Sequence, residues 1–481
     1  MSLDDEIRSI STPDLVPTSI GDMHFHDGAP SQETAQAAFD YLDRARGVEV
    51  FLNAMPGASV NALVKGPREL GVTATNQVLI FDELMSSESL FLTGNTSTLY
   101  ALPTIDLRAD GPTVVEVPPG MLGAFNDMWF RYIGDVGPAG QDRGEGGSYL
   151  LLPPGYEGAV PDGYFVLRSR TFGVWTFMRG SVADGLEVGV ANIVDNLKVY
   201  PLAGRDNPPE MEFISGSGKA FNTVHPNNFS FYEHVNELVQ TESDEMLDVE
   251  TRGLLASIGI IKGQPFAPDE RMRAILTDAV AIANTVARAI VWYPRDDGAK
   301  VYPDTDSAWM MGWMDKNVFF ERDGARNLDA RVMFHYPYTA VTPAMALSIP
   351  GKGSDYGIAY VDAGKQPFDG SEAYRLHIPA DVPAEDFWAV TVYDSQTRSQ
   401  LQTSQRFPSV GSNDADLLAN ADGSHDVFFG PEAPAGFEHN WLETIPGKSW
   451  FVALRIYGPQ QAWIDKTWRP GEVELQSGAN S

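Results

Sequence analysis

Apolar residues along this chain switch between two spacings, and the switches divide it. Residues 1–30 are polar and irregular. Ser31 then sits where a helix N-cap belongs, and Thr34, Ala37, Phe39, Leu42 and Val48 recur at roughly helical spacing, which predicts a helix. A further helical stretch is expected from Asn61 to Leu70, ending near Gly71. From Val78 to Val199 the pattern shortens to apolar runs between Gly, Pro and Asp clusters. The runs are Leu99–Leu102, Thr113–Val117, Met128–Ile133, Tyr149–Leu152, Tyr164–Leu167 and Val174–Met178. Short runs rich in β-branched and aromatic residues predict strands, and several close together predict a sandwich or barrel.

Helical spacing returns over residues 230–292. Phe231, Val235, Leu238 and Val239 lie on one stripe, and an Ala-rich segment runs from Asp269 to Trp292. Pro268 and Asp269 suit its start, and its wide apolar face predicts burial between domains. Strand patterning resumes at Ile358–Val361, Tyr374–Ile378, Phe387–Tyr393, Asp426–Phe429 and Trp450–Tyr457. The expected fold is mixed and mainly β. It has two β-sandwich or jelly-roll-like domains, an N-terminal helical segment and a helical region between them. The expected boundaries are an arm with helices over 1–75, a β domain over 76–200, a helical connection over 201–300, a β-sandwich over 301–475 and a tail over 476–481.

Charge narrows the partners. Lys and Arg number 34 against 65 Asp and Glu, a net charge of −31. Such a surface repels phosphate backbones and anionic lipid headgroups, so neither nucleic acid nor a membrane is expected as a partner. No uninterrupted apolar run approaches the roughly 18 residues of a membrane span. The chain has no cysteine, which removes disulfides, thiolate metal sites and a cysteine nucleophile. Its start, Met1 to Arg8, lacks the basic and apolar regions of a secretory signal, so a cytoplasmic location is expected.

Several motifs invite chemistry and fail on context. The Gly-rich stretch Gly134–Gly147 leads into a strand rather than a helix and is expected to be a long hairpin loop. Ser215-Gly-Ser-Gly-Lys219 resembles a phosphate loop, but Ala220 and Phe213 occupy positions that need Ser/Thr and Gly. There is no Gly-x-Ser-x-Gly elbow and no His-Glu-x-x-His. His24 and His26 would share one face of an extended arm, with a third metal ligand still to be supplied. His225-Pro226-Asn227 reads as a turn. Asp304 and Asp306, and Asn420 and Asp422, offer alternate oxygens but read as turns between strands. Metal ligands therefore stay unassigned, and no cofactor motif is evident.

The remaining cluster is dispersed over the C-terminal strands. Alternation puts Trp388, Val390, Val392 and Asp394 on one strand face, Tyr393 on the other, and Arg455 with Tyr457 on a shared face. His335, Asp394 and Arg455 are the candidate catalytic residues, and Trp388, Tyr393, Arg398 and Tyr457 the candidate ligand contacts. Arg455 would hold an anionic group, Asp394 or His335 would move a proton, and Trp388 and Tyr457 would form a platform. The expected function is a hydrolase or lyase acting on a small polar or saccharide-like substrate. Its site would lie in a cleft of the C-terminal sandwich or at the domain junction. The alternatives are a non-catalytic carbohydrate or small-ligand binding protein, and a structural subunit of a homo-oligomer.

Longer blocks carry a resemblance. Arg46–Pro56, Gly94-Asn-Thr-Ser-Thr-Leu-Tyr100, Gly111–Pro119 and Tyr149–Tyr156 resemble the domain of unknown function DUF1254. Phe387-Trp388, Asn420–Ser424, Phe429-Gly-Pro431, Asn440-Trp441, Pro446-Gly-Lys448, Tyr457-Gly-Pro459 and Trp468–Gly471 resemble its companion, DUF1214. The resemblance implies two β-sandwich-like domains with a helical region, and it transfers no catalytic set. Ser97 stands where the resemblance leads one to expect Asp.

Overall fold

The computed structural model describes residues 2–476, so all but Gln476 of the expected tail lies outside the described residues. The chain forms a mixed α/β fold with several sheets and with helical stretches near its start and between its β regions. It divides into two compact units.

The first unit comprises Met1–Ala54, Pro226–Gln240 and Leu247–Val286. Its arm is a small sheet of Leu15–Thr18, Gly21–His26 and Ala29–Pro30, on which His24 and His26 are exposed. Ser31 caps the next helix, its Oγ accepting from the Thr34 amide at 3.2 Å. That helix runs Gln32–Glu69 without the expected break, carrying Pro56 and Pro67 inside it. Phe39 and Leu42, two of the apolar positions at helical spacing, are 59% and 38% exposed. The inward face is instead set by Gly47, where a Cβ would approach Ala279 Cβ at 2.8 Å. A side chain there would hold the two helices apart.

Asp269 caps the helix Glu270–Trp292 by accepting the Met272 amide at 2.7 Å. The helix buries only a stripe that includes Leu276, Ala279, Val280 and Ala283, and Ile282 is 40% exposed. The expectation of burial over a wide face is therefore corrected to an amphipathic stripe. By length and composition this helix reaches the measure of a membrane crossing, with 44% of its most apolar window buried in the protein. The helix is not an uninterrupted apolar run, because Arg273, Asp278 and Arg288 interrupt it.

The second unit comprises Met55–His225, Thr241–Met246 and Ala287–Ser481 and holds two pairs of sheets. A six-stranded sheet has the order Glu212–Ser215, Gln77–Phe81, Leu99–Asp106, Gly173–Gly180, Leu122–Asp127, Tyr132–Val136. A four-stranded sheet has the order Phe165–Arg168, Gly147–Leu152, Thr113–Val117, Lys198–Pro201. One buried cluster takes residues from both, among them Val78, Ala101, Val115, Leu151, Val174 and Met178. In the C-terminal half Ser354–Ala359, Ser449–Pro459, Ala384–Asp394 and Ser409–Gly411 pair in that order, with Phe368–Asp369 also on Ser449–Pro459. A second four-stranded sheet has the order Trp441–Glu443, His425–Gly430, Tyr374–Ile378, Val473–Leu475. Trp388, Val390, Val392, Leu454 and Ile456 share a core cluster with Leu376 and Val427.

Two predicted elements differ. Of the predicted run Met128–Ile133 only Tyr132 and Ile133 are in a strand; Met128–Arg131 forms a turn, because Asp127 Oδ1 accepts the amides of Trp129 and Arg131 and folds the chain back. Gly134–Gly147 is not a hairpin loop, since the strands on either side belong to different sheets.

Alternation leaves each of two central strands a second face. Val174 and Met178 point into their core, so Trp175, Phe177 and Arg179 share the opposite face. On Ser449–Pro459, Trp450, Val452, Leu454 and Ile456 point into the core, so Phe451, Ala453, Arg455 and Tyr457 share the opposite face. Both second faces are buried as well.

A candidate binding site around two buried arginines

Register places a tyrosine beside each arginine. Arg179 pairs with Tyr100 across one ladder, and Arg455 pairs with Tyr356 across another. Both arginines are 5% exposed. They line one cavity of about 60 Å³, together with the apolar side chains of Phe91, Phe177, Trp313, Phe334, Met345 and Ile358. Thr93, Tyr100, Tyr338, Thr339 and Tyr356 complete its polar lining, and none of the lining residues is Asp, Glu, His or Lys.

The two guanidinium groups are unequally provided for. Arg455 Nη2 donates to the Thr93 carbonyl and the Tyr393 hydroxyl, each at 2.6 Å, while its Nε has no partner. Arg179 makes no hydrogen bond or ion pair among the described residues, and its nearest aromatic support is the Phe177 ring at 5.6 Å. The hydroxyls of Tyr356 and Tyr457 are buried and unpartnered too. Burial works against both arginine charges, but the surrounding phenolic oxygens outweigh it and raise both pKa values. Burial also pushes the Tyr100 and Tyr457 hydroxyls up, so both stay protonated at neutral pH. Two like charges thus sit buried beside one cavity with no acid in its lining, at a desolvation cost of several kcal/mol per ion.

Local sequence explains how the walls are held. In the Gly94–Tyr100 block, Asn95 Oδ1 accepts the amides of Ser97 and Thr98 at 2.9 and 3.0 Å. Asn95 Nδ2 donates to the Tyr100 hydroxyl at 2.8 Å. A Cβ on Gly94 would meet Met85 Sδ at 2.3 Å, so a side chain there would require Met85 to move. The Gly94 carbonyl accepts the Tyr393 hydroxyl at 2.9 Å. The opposite wall is the segment 338–345. Asn126 brackets Val341, donating to its carbonyl at 2.7 Å and accepting its amide at 3.1 Å. Thr342 Oγ1 donates to Asp135 at 2.5 Å. Burial pushes the Asp135 carboxyl up to about 6, against the pull of its hydrogen bonds from Thr342 and Tyr132. Thr93 and Ala340, both on the cavity wall, hold φ of 44° and 71°, a conformation disfavoured for residues with a Cβ.

The family description "Protein of unknown function (DUF1254)" matches residues 75–201, and "Protein of unknown function (DUF1214)" matches residues 353–461. The chain carries both domains of this two-domain family. Arg179 and Tyr100 come from the DUF1254 domain, and Arg455 and Tyr356 from the DUF1214 domain. The fold is similar to that of the VPA0106 protein from Vibrio parahaemolyticus, with a TM-score of 0.54 at 16% identity, covering 90% of this chain and 100% of that one. An uncharacterized protein from Burkholderia cenocepacia gives a TM-score of 0.39 at 14% identity, covering 90% of this chain and 95% of that one. No curated protein matches the chain.

Of the residues singled out in the sequence, the structure brings Arg455, Tyr393 and Tyr457 together. Tyr393 bonds Arg455, and Tyr457 follows two residues after it on the same face, stacked on Phe387 at 4.0 Å. Asp394 lies elsewhere. Ala389 is the register partner of Arg455, so Asp394 is five residues farther along, roughly 17 Å at strand rise. There it accepts Lys448 Nζ and the Gln396 amide, both at 2.6 Å. His335 is packed among the rings of Phe130, Phe320 and Phe334, and burial holds its pKa well below the ordinary value, so it is neutral. Trp388 faces the core with Val390 and Val392. It also borders a separate recess of about 260 Å³ that Ser97 and Asp414 line. Arg398 donates to the carbonyls of Gln396 and Tyr336 and lies 4.3 Å from the Tyr336 ring. Among the described residues, no group of three or more His, Asp or Glu is placed to hold a metal ion.

Arg179, Tyr100 and Tyr356 were not singled out in the sequence. A signal for Arg179 was present: it continues the period-two phase of Trp175 and Phe177, which puts a cation on an aromatic strand face.

Proposed function

We propose that this protein binds a small anionic molecule in the cavity between the strands that carry Arg179 and Arg455. One observation carries the reading: two buried guanidinium groups line one cavity, and no acid answers either. A buried charge without a partner is costly in a folded protein, and a bound anion removes that cost while fixing its own position. The surplus of acidic residues elsewhere makes the two cations stand out as a local attraction for an anion.

The hydrolase or lyase reading would keep Arg455 as the anion holder and would need Tyr356 or Tyr457 to transfer the proton. We prefer binding without turnover. No carboxylate, imidazole or amine lines the cavity, and burial holds the Tyr457 proton tightly. In the same reading each β half is a two-layered sandwich whose inner faces meet in its core cluster, and the site is complete within one chain.

The test is thermal unfolding of the wild type and of Arg179→Met over a panel of small anions in a buffer of a bulky zwitterion. At one hundred times its dissociation constant a ligand adds about 2.7 kcal/mol to stability. Stabilisation of the wild type that is absent in Arg179→Met supports the reading. Equal shifts in both proteins, or none in either, refute it.

A further inference from the structure

We infer that the ligand of this cavity is a short, apolar monocarboxylic acid bound as its anion, an inference that rests on the anion-binding reading above. Among the polar side chains of the lining, the two guanidinium groups can only donate, and the others are hydroxyls that donate or accept. Arg179 offers its guanidinium, Arg455 its unpartnered Nε, and Tyr356 and Thr339 their unpartnered hydroxyls. A ligand with its own N–H or O–H groups needs acceptors. No Asp or Glu lines the cavity, so a sugar would leave the two guanidinium charges unanswered, and an amine or a zwitterionic amino acid would bury a further cation without an acid. A carboxylate is all acceptor, and its two oxygens match the parallel N–H pair of a guanidinium.

The rest of the wall selects the other end of the ligand. Phe91, Phe177, Trp313, Phe334, Met345 and Ile358 offer no hydrogen bond. A phosphate, sulfate or dicarboxylate carries oxygens on more than one side and would press some of them against these side chains. A monocarboxylate confines its charge to one end and presents methylene groups to the aromatic wall. The volume sets the length. About 60 Å³ is well below the ~150 Å³ cavity that holds benzene, which limits the acid to about two to four carbons.

The experiment is isothermal titration of the full-length protein with acetate, propionate and butyrate, and with propionamide, alanine, succinate and inorganic phosphate. The wild type is compared with Arg179→Met and Tyr356→Phe. Propionate and butyrate are expected to bind, with affinity rising about fourfold per methylene until the cavity is full. The neutral amide, the amino acid, the diacid and phosphate are expected to bind at least about tenfold more weakly. Arg179→Met should abolish carboxylate binding, and Tyr356→Phe should weaken it about three- to tenfold, which keeps the test valid if the arginine variant folds poorly. Phosphate or succinate binding as tightly as butyrate, and lost in the variants, would overturn the monocarboxylate inference and leave the anion-binding reading standing. Failure of every probe to bind in a way that depends on Arg179 or Tyr356 would overturn both.

Discussion

Arg398 and Arg179 are both buried arginines in the same compact unit, and their surroundings differ in one respect. Arg398 is held by the chain itself: Nη1 donates to the Gln396 carbonyl at 2.6 Å, Nε to the Tyr336 carbonyl at 3.3 Å, and the Tyr336 ring lies beneath it. Arg179 makes no such bond among the described residues and lines a cavity instead. Burial alone therefore does not tell these two cations apart. The separation lies in where the donors go. Arg398 was among the expected ligand contacts and Arg179 was not; the proposed anion site rests on Arg179 because its donors, unlike those of Arg398, meet no carbonyl.

The comparison breaks first at Arg398. Arg398→Met removes charge-assisted bonds to two carbonyls, that of Tyr336 being buried, so it is expected to cost about 2–4 kcal/mol in urea unfolding. A loss below about 1 kcal/mol would show that Arg398 is not the structural cation described here.

Asp135 is the acidic counterpart of Arg179, a buried charge beside the cavity wall. Its pKa is about 6 in the folded protein against an ordinary 3.8, so the folded state favours the protonated form. The associated stability is fully present below about pH 4 and is lost as pH rises through 6. Asp135→Asn keeps an acceptor for Thr342 and removes the charge. It should stabilise the protein on the order of 2 kcal/mol at pH 8 and leave it unchanged at pH 4. Equal effects at both pH values, read by chemical denaturation, would remove the titration from the account.

A smaller effect sharpens the difference between the two arginine surroundings. The Tyr393 hydroxyl donates to Gly94 and accepts from Arg455, so Tyr393→Phe is expected to cost about 1–1.5 kcal/mol. The Tyr356 hydroxyl has no partner, so Tyr356→Phe should change ligand-free stability by less than about 0.5 kcal/mol. Reversal of that order would mean that Tyr356 has a structural bond.

Much of the fold was legible because alternation is a local property. Tyr374–Ile378, Phe387–Tyr393 and Trp450–Tyr457 were expected as strands and lie within strands, and the shared face of Arg455 and Tyr457 follows from the same period. Ser31 and Asp269 were recognised as caps because a cap is read from its own side chain. The inward face of the first long helix was not legible, because Gly47 decides it through close approach to Ala279, far away in sequence. The cavity was hidden for a similar reason. Arg179 and Arg455 stand 276 positions apart, and only the packing of two sheets brings them to one void. The sequence shows types and phases, and leaves open which strand faces meet.

The most direct test is the ligand-free stability of Arg179→Met, measured by urea unfolding in a buffer without small anions. The account predicts no loss, or a gain of up to about 1 kcal/mol, because methionine fills similar space without a buried charge. A loss of about 3 kcal/mol or more would contradict it, since that cost belongs to a cation already paired within the fold.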